Sequence, residues 1–217
     1  MTHDHAHARE HMVEQQIRPW DVLDPRVLAV LADMPRERFV APAYEGVAYA
    51  DVALPLGHGE LMLKPVLAGR ALQALLPTET DEVLEIGTGS GYVTACLARL
   101  AREVVSLDRH ADFVQAARAR LESLGIANVR FEAADVFAWR CDRRFDAICV
   151  NGAVDAIPSR LLELLKPGGR MFIVRGRAPA MEAVLVRNEG PAPRIESLFE
   201  TDIPYLAGAA PVPTFHL

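Results

Sequence analysis

The apolar positions of this chain change their spacing about a third of the way along, and the change separates two kinds of structure. From about Val13 to Val40 they fall at helical intervals, with Val22, Val27, Leu28, Val30 and Leu31 grouped around a Pro25 that suits a helix start. The next stretch, APAYEGVAYADVALPLGHGELMLKP, is rich in Gly and Pro and lacks a helical period, so an irregular apolar segment is expected there. Pro65 opens another helix, in which Leu67, Ala71 and Leu75 repeat at four-residue spacing until Pro77.

Beyond Pro77 strand and helix patterns alternate. Short apolar strands are predicted at Val83 to Ile86, at Val104 to Leu107, around Val129, Phe131 and Ala133, through FDAICV, through MFIV, at Ala183 to Val186 and at Ile195 to Phe199. Between them, Tyr92, Val93, Cys96, Leu97 and Leu100 share one helix face, and Phe113, Ala117, Leu121 and Leu124 share another that Gly125 ends. Ser159 is placed to cap a helix running through Leu165, and KPGG then turns the chain into the fifth strand. The succession predicts an α/β fold: a doubly wound, mostly parallel seven-stranded sheet of Rossmann-like type with an N-terminal helical extension. Residues 1–217 are read as one domain, with a solvated tail over 1–11, a helical and substrate-side segment over 12–80 and a cofactor-binding core over 81–217.

Composition narrows the function more than the fold. The formal net charge is −6 and no basic stripe interrupts it, so nucleic acid is not an expected partner. Cys96, Cys141 and Cys149 show no paired spacing, which fits free thiols in a reducing cytoplasm. No run of about 18 apolar residues occurs, so no membrane span is expected. His3, His5, His7 and His11 could hold a metal, but a terminus without an apolar anchor reads more simply as solvated tail, and no metal is assigned.

The candidate chemistry starts at VLEIGTGSGYVT, where the first core strand runs into Gly87, Thr88, Gly89, Ser90 and Gly91. In a doubly wound sheet ligands bind outside the carboxyl ends of the strands, and glycines at the first turn let a ligand approach the backbone. A tight structural turn would use the same residues. The spacing is GxGxG, with Tyr92 where a dinucleotide motif would place its third glycine, and Glu85 adds negative charge that a pyrophosphate would resist. S-adenosylmethionine carries an ammonium and a sulfonium but no phosphate, and it meets both conditions. Asp108 closes the second strand, where a carboxylate can accept the ribose hydroxyls, and Asp135 closes the third, beside the backbone of Val136, where the adenine amino group would lie. Each acid could instead serve as a helix cap.

Four stretches then carry a resemblance to a known family. MVEQQIRPWDVLDPRVLAVLADMPRERFVAP, YADVALPLGHGELMLKP, VLEIGTGSGYVTACLA and FDAICVNGAVDAIPSRLLELLKPGGR resemble, in order, the protein-L-isoaspartate O-methyltransferase family, and IPYL from Ile203 is similar to its closing segment. The resemblance implies S-adenosylmethionine as cofactor and transfer of its methyl group to the carboxylate of isoaspartyl residues in damaged proteins. The ester then collapses to a succinimide, which starts repair. It also places His58, Gly59, Glu60 and Leu63 on the substrate side.

The chain departs from the family in that segment. Members typically carry QTISQP, with an active-site serine, where this chain has ELMLKP; Leu63 takes the serine position, Leu61 the threonine, and Glu60 the glutamine. No catalytic residue is therefore carried over. An ionised carboxylate is already nucleophilic, so alignment with the sulfonium matters more than a general base. Leu61, Met62 and Leu63 could line an apolar pocket or simply pack in the core. Two readings remain beside isoaspartyl methylation: the same fold with another acceptor, and a cofactor-binding module without turnover. A dehydrogenase ranks last, and methylation of nucleic-acid amino groups is disfavoured by NGAV after the fourth strand. His58 and His110 are loop histidines that either take part or stand by.

Overall fold

The computed structural model of the protein describes residues 4–212. Its centre is a seven-stranded sheet built from β3 (Glu82–Ile86), β4 (Glu103–Asp108), β5 (Val129–Ala133), β6 (Phe145–Val154), β7 (Leu165–Arg177), β8 (Ala180–Arg187) and β9 (Arg194–Thr201), in the spatial order β5-β4-β3-β6-β7-β8-β9. The first five of these pair in parallel, whereas β8 runs antiparallel to both β7 and β9. All seven lie where the apolar runs predict them. The helices are α3 (Pro65–Leu75), α4 (Tyr92–Leu100), α5 (Ala111–Ser123) and the short α6 (Ser159–Glu163). Two apolar layers form, one holding Leu72, Leu97 and Leu121 and the other Leu84, Ile148 and Leu161. The winding reverses between β3 and β6, which opens a crevice at the carboxyl ends of the strands.

The N-terminal segment is helical from its start. Residues His5–His11 form α1, capped by Asp4, whose Oδ1 accepts from the His7 amide at 3.1 Å. The expectation of a solvated tail is therefore corrected for residues 5–11, while His3 lies outside the described residues. The physical reason is that α1 continues without a break into a π-helical turn over Met12–Ile17, and its buried Met12, Val13 and Ile17 anchor what precedes them. Next, α2 (Pro25–Asp33) starts at Pro25 as expected, with Asp24 accepting from the amides of Arg26 and Val27.

The irregular segment is also more ordered than its composition suggests. Leu54–Gly57 (β1) and Glu60–Met62 (β2) pair antiparallel around His58 and Gly59, both at positive φ (54° and 79°). Two successive positive φ values make the hairpin turn that matches strand twist. A third difference concerns Ser159, which caps nothing: Pro158 is the N-cap and α6 ends at Glu163 because the chain has joined the sheet by Leu165. The KPGG residues then sit in a bulge between the pairs Phe145–Leu165 and Ala147–Arg170. Among the described residues no helix is long and apolar enough to cross a membrane.

Candidate active site

The glycine turn is held in place from two sides. From β4, the Leu107 carbonyl accepts the amides of Gly87 (2.8 Å) and Thr88 (3.1 Å), and Asp108 Oδ2 accepts the amide of Gly89 at 2.9 Å. From β6, the Asn151 side chain donates to the Gly87 carbonyl at 2.9 Å. The other oxygen of Asp108 accepts the His110 amide at 2.9 Å, so one carboxylate fixes both the turn and the entry to α5. Gly87, Thr88, Gly89 and Asp108 line a cavity at the ends of the parallel strands, together with Asp135 and Val136 beyond β5. Asp135 is exposed and its Oδ1 accepts the Phe137 amide at 2.9 Å, so it caps the following turn as well as facing the cavity.

Two expected cavity residues lie elsewhere. Glu85 is fully buried beneath the turn and absent from the cavity wall. Its Oε2 accepts from the hydroxyls of Ser106 (2.6 Å) and Thr94, and its Oε1 from Asn151 at 2.9 Å. Burial pushes its pKa up to about 7, against the lowering effect of those three donors. Glu85 thus anchors Asn151 directly and Thr88 through Ser106, whose Oγ lies 2.6 Å from Thr88 Oγ1. Gly91 is likewise off the cavity. A Cβ there would lie 2.8 Å from that of Ala117, so this glycine lets the start of α4 pack against α5.

The carboxylates on the cavity wall are therefore those of Glu60, Asp108 and Asp135 rather than that of Glu85. The Gly89 amide is already given to the Asp108 carboxylate, so this donor is not free for a pyrophosphate. A cationic ligand without phosphate fits the same donor set, and S-adenosylmethionine is such a ligand.

On the acceptor side, Glu60, Leu61, Met62 and Leu63 all line the cavity. Leu61 is 39% exposed, whereas Met62 and Leu63 are 4% and 9% exposed and belong to the main core. The choice between pocket and core is resolved as both: one face of the segment packs inward and the rest forms the wall. His58 and Gly59 stand on the hairpin turn outside the cavity.

Wall residues that were not singled out in the sequence include Arg36, Asn151 and Tyr205. Arg36 is fully buried, with Nε donating to the Ala48 carbonyl at 2.8 Å, Nη2 donating to the Leu63 carbonyl at 2.7 Å, and the guanidinium 4.7 Å from the Tyr92 ring centre. Burial lowers its pKa from the ordinary value. Arg36 and Arg38 look alike in RERF, and spacing gave no means of choosing between them. Asn151 follows the apolar run of β6 and signals itself only as a polar residue at a strand's carboxyl end. Tyr205 belongs to the closing segment, which docks when the Ala153 amide donates to the Pro204 carbonyl and the Leu206 amide to the Ala153 carbonyl, each at 2.8 Å.

Comparison with known proteins decides the lineage. The family model described as protein-L-isoaspartate(D-aspartate) O-methyltransferase (PCMT) matches residues 7–197. This chain belongs to that family. A protein-L-isoaspartate O-methyltransferase of Magnetococcus marinus is 42% identical over 169 residues, covering 77% of this chain and 74% of its own. One from Methanoregula boonei is 37% identical over 191 residues, 88% of each chain. Among solved structures, a putative protein-L-isoaspartate O-methyltransferase from Plasmodium falciparum in complex with S-adenosyl-L-homocysteine aligns with a TM-score of 0.78 at 19% identity, over 93% of this chain and 97% of that one, a likeness of fold. Within this family, the chain presents Glu60, Leu61, Met62 and Leu63 of its ELMLKP segment to the cavity.

Proposed function

We infer that this PCMT-family chain is an S-adenosylmethionine-dependent carboxyl O-methyltransferase whose acceptor is the isoaspartyl residue of damaged proteins. The observation that carries the reading is Asp108: one oxygen shapes the glycine turn and the other the entry to α5, in a cavity suited to a cationic, phosphate-free cofactor. S-adenosylmethionine supplies an electrophilic methyl group on a sulfonium. In our reading, Gly87, Thr88 and Gly89 would give it backbone to lie against, Asp108 would accept its ribose hydroxyls, and Asp135 with the backbone of Val136 would receive the adenine.

The acceptor enters along Leu61, Met62 and Leu63. The acceptor carboxylate, aligned by this wall, would receive the methyl group the cofactor supplies and become a methyl ester, with the neutral thioether as the leaving group. Opposite charges cancel along that path, so an apolar wall that excludes water favours the step, and no proton needs to be removed. Arg36 holds the wall through the Leu63 carbonyl. The three free thiols support a cytoplasmic setting.

The test is transfer of labelled methyl to an isoaspartyl peptide beside its aspartyl twin. Base-labile label on the first alone is expected; equal label, or none, removes the assignment. With Asp108→Ala, binding of S-adenosylhomocysteine should weaken by about 1–3 kcal/mol, the cost of leaving a donor pair unsatisfied. Unchanged calorimetric affinity would take Asp108 out of the site.

A further inference from the structure

At the mouth of the cavity the β1–β2 turn meets the start of α5, and two imidazoles and a carboxylate converge there. His58 and His110 stack with ring centres 4.1 Å apart and planes 12° from parallel. His58 Nε2 lies 2.9 Å from Asp112 Oδ2, and His110 Nε2 lies 3.9 Å from Glu60 Oε1. One potential ligand atom from each of His58, His110 and Asp112 lies within 4.8 Å of the other two. Methyl transfer uses none of these three side chains as read above, and His58 and Asp112 are not part of the cavity wall.

Several properties set this group apart from a chance surface cluster. Phe113 packs its edge against both rings, at 5.3 Å from His58 and 5.2 Å from His110, giving the pair a fixed apolar backing. Asp112 sits in the first turn of α5, where its charge offsets the positive helix end that would otherwise oppose a cation. Finally, His58 occupies a hairpin position at φ 54° that glycine would adopt with less strain.

The geometry points to a divalent transition-metal site of the zinc class, ligated by His58, His110 and Asp112, that ties the β1–β2 turn to the start of α5 across the cavity mouth. Tetrahedral zinc, with bonds of about 2.0–2.2 Å, wants its ligand atoms about 3.3–3.5 Å apart, so side-chain rotations of roughly 1 Å would complete the set. Glu60 or a water can take the fourth position. Two imidazoles with one carboxylate select zinc, cobalt or nickel over magnesium and calcium, which prefer oxygen alone.

Titration of zinc chloride by calorimetry, and of cobalt(II) by its visible absorption, tests the site in the full chain. His3, His5, His7 and His11 are replaced by Asn in every sample, so that N-terminal imidazoles bind nothing. One ion per chain is expected, with four-coordinate cobalt absorption, and each of His58→Ala, His110→Ala and Asp112→Asn should weaken binding by about tenfold or more. Asp112→Asn keeps the side-chain volume on an exposed helical turn, so it reports on ligation even if a change in the hairpin disturbs folding. A parent that binds no zinc, or variants that bind it as the parent does, would overturn the site.

Discussion

Arg36 donates a 2.7 Å hydrogen bond to the carbonyl oxygen of Leu63, the residue that the sequence resemblance sets opposite a family serine. The same guanidinium donates to the Ala48 carbonyl, so one buried cation joins the cavity wall to the chain leading into it. Lysine has a single ammonium on a flexible stem and cannot reproduce this fork. Arg36→Lys should lower unfolding free energy by about 2–4 kcal/mol, given roughly 1.5–3 kcal/mol for a bond to a charged group. Isoaspartyl turnover should fall more steeply than affinity for S-adenosylhomocysteine, because Asp108 and Asn151 hold the glycine turn independently. Urea unfolding and parallel kinetics check this, and equal losses in the two functional readouts would refute the positioning role.

Leu63→Ser introduces the hydroxyl that the sequence resemblance expects at this position, at a cost visible in the burial of Leu63. A new neutral hydrogen bond is worth roughly 0.5–1.5 kcal/mol, so turnover of an isoaspartyl peptide per folded molecule should rise from a few fold up to about tenfold. Since Leu63 is only 9% exposed and part of the core, stability should drop by about 2–4 kcal/mol. Turnover that stays flat while the protein remains folded would mean the apolar wall is already matched to its acceptor.

Gly89 and Gly91 separate binding from packing. Gly91 combines φ +85° with an Ala117 Cβ only 2.8 Å from where its own would stand, so Gly91→Ala should destabilise by about 2–5 kcal/mol through strain and overpacking. At Gly89 the nearest obstacle, 3.1 Å away, is the flexible tip of Leu56, so Gly89→Ala should cost only about 1–2 kcal/mol. Cofactor affinity of the folded protein should show the reverse order of damage. Calorimetry on both variants, below their unfolding midpoints, decides whether Gly91 has been rightly placed outside the cavity.

Glu85 predicts a pH dependence of stability. Its carboxyl titrates near 7 when folded and near 4.5 when unfolded, so between these values the folded state holds a proton that the unfolded state has released. Stability should therefore fall as pH rises through this window and level off above it. From pH 5 to pH 8 the loss amounts to about 2–3 kcal/mol. Glu85→Gln can keep its bond to Asn151 while the Thr94 and Ser106 hydroxyls turn to accept, and it should lack this loss. The depressed carboxyls, among them Asp146 and Glu103, titrate below the window and leave the comparison clean. Parallel slopes for wild type and variant would contradict a raised pKa.

The sequence by itself determined the sheet. Strands buried on both faces must be nearly continuous apolar runs, so LEI before the glycine turn, FDAICV and MFIV announced themselves locally, and turn glycines marked where the helices stopped. It also determined the lineage, because motifs are local strings. What only the tertiary structure decided is where side chains on those elements point and which distant ones they meet. Glu85 reads as a carboxylate beside a ligand until Thr94, Ser106 and Asn151, brought from α4, β4 and β6, enclose it beneath the turn. Gly91 reads as part of the binding turn until Ala117 of α5 arrives against it. Arg36 gains its role only when Ala48, Leu63 and Tyr92 surround it, and α1 gains its order from buried residues that follow it. Hydrophobic period is a property of neighbours in the chain, whereas burial, hydrogen-bond satisfaction and charge are properties of neighbours in space.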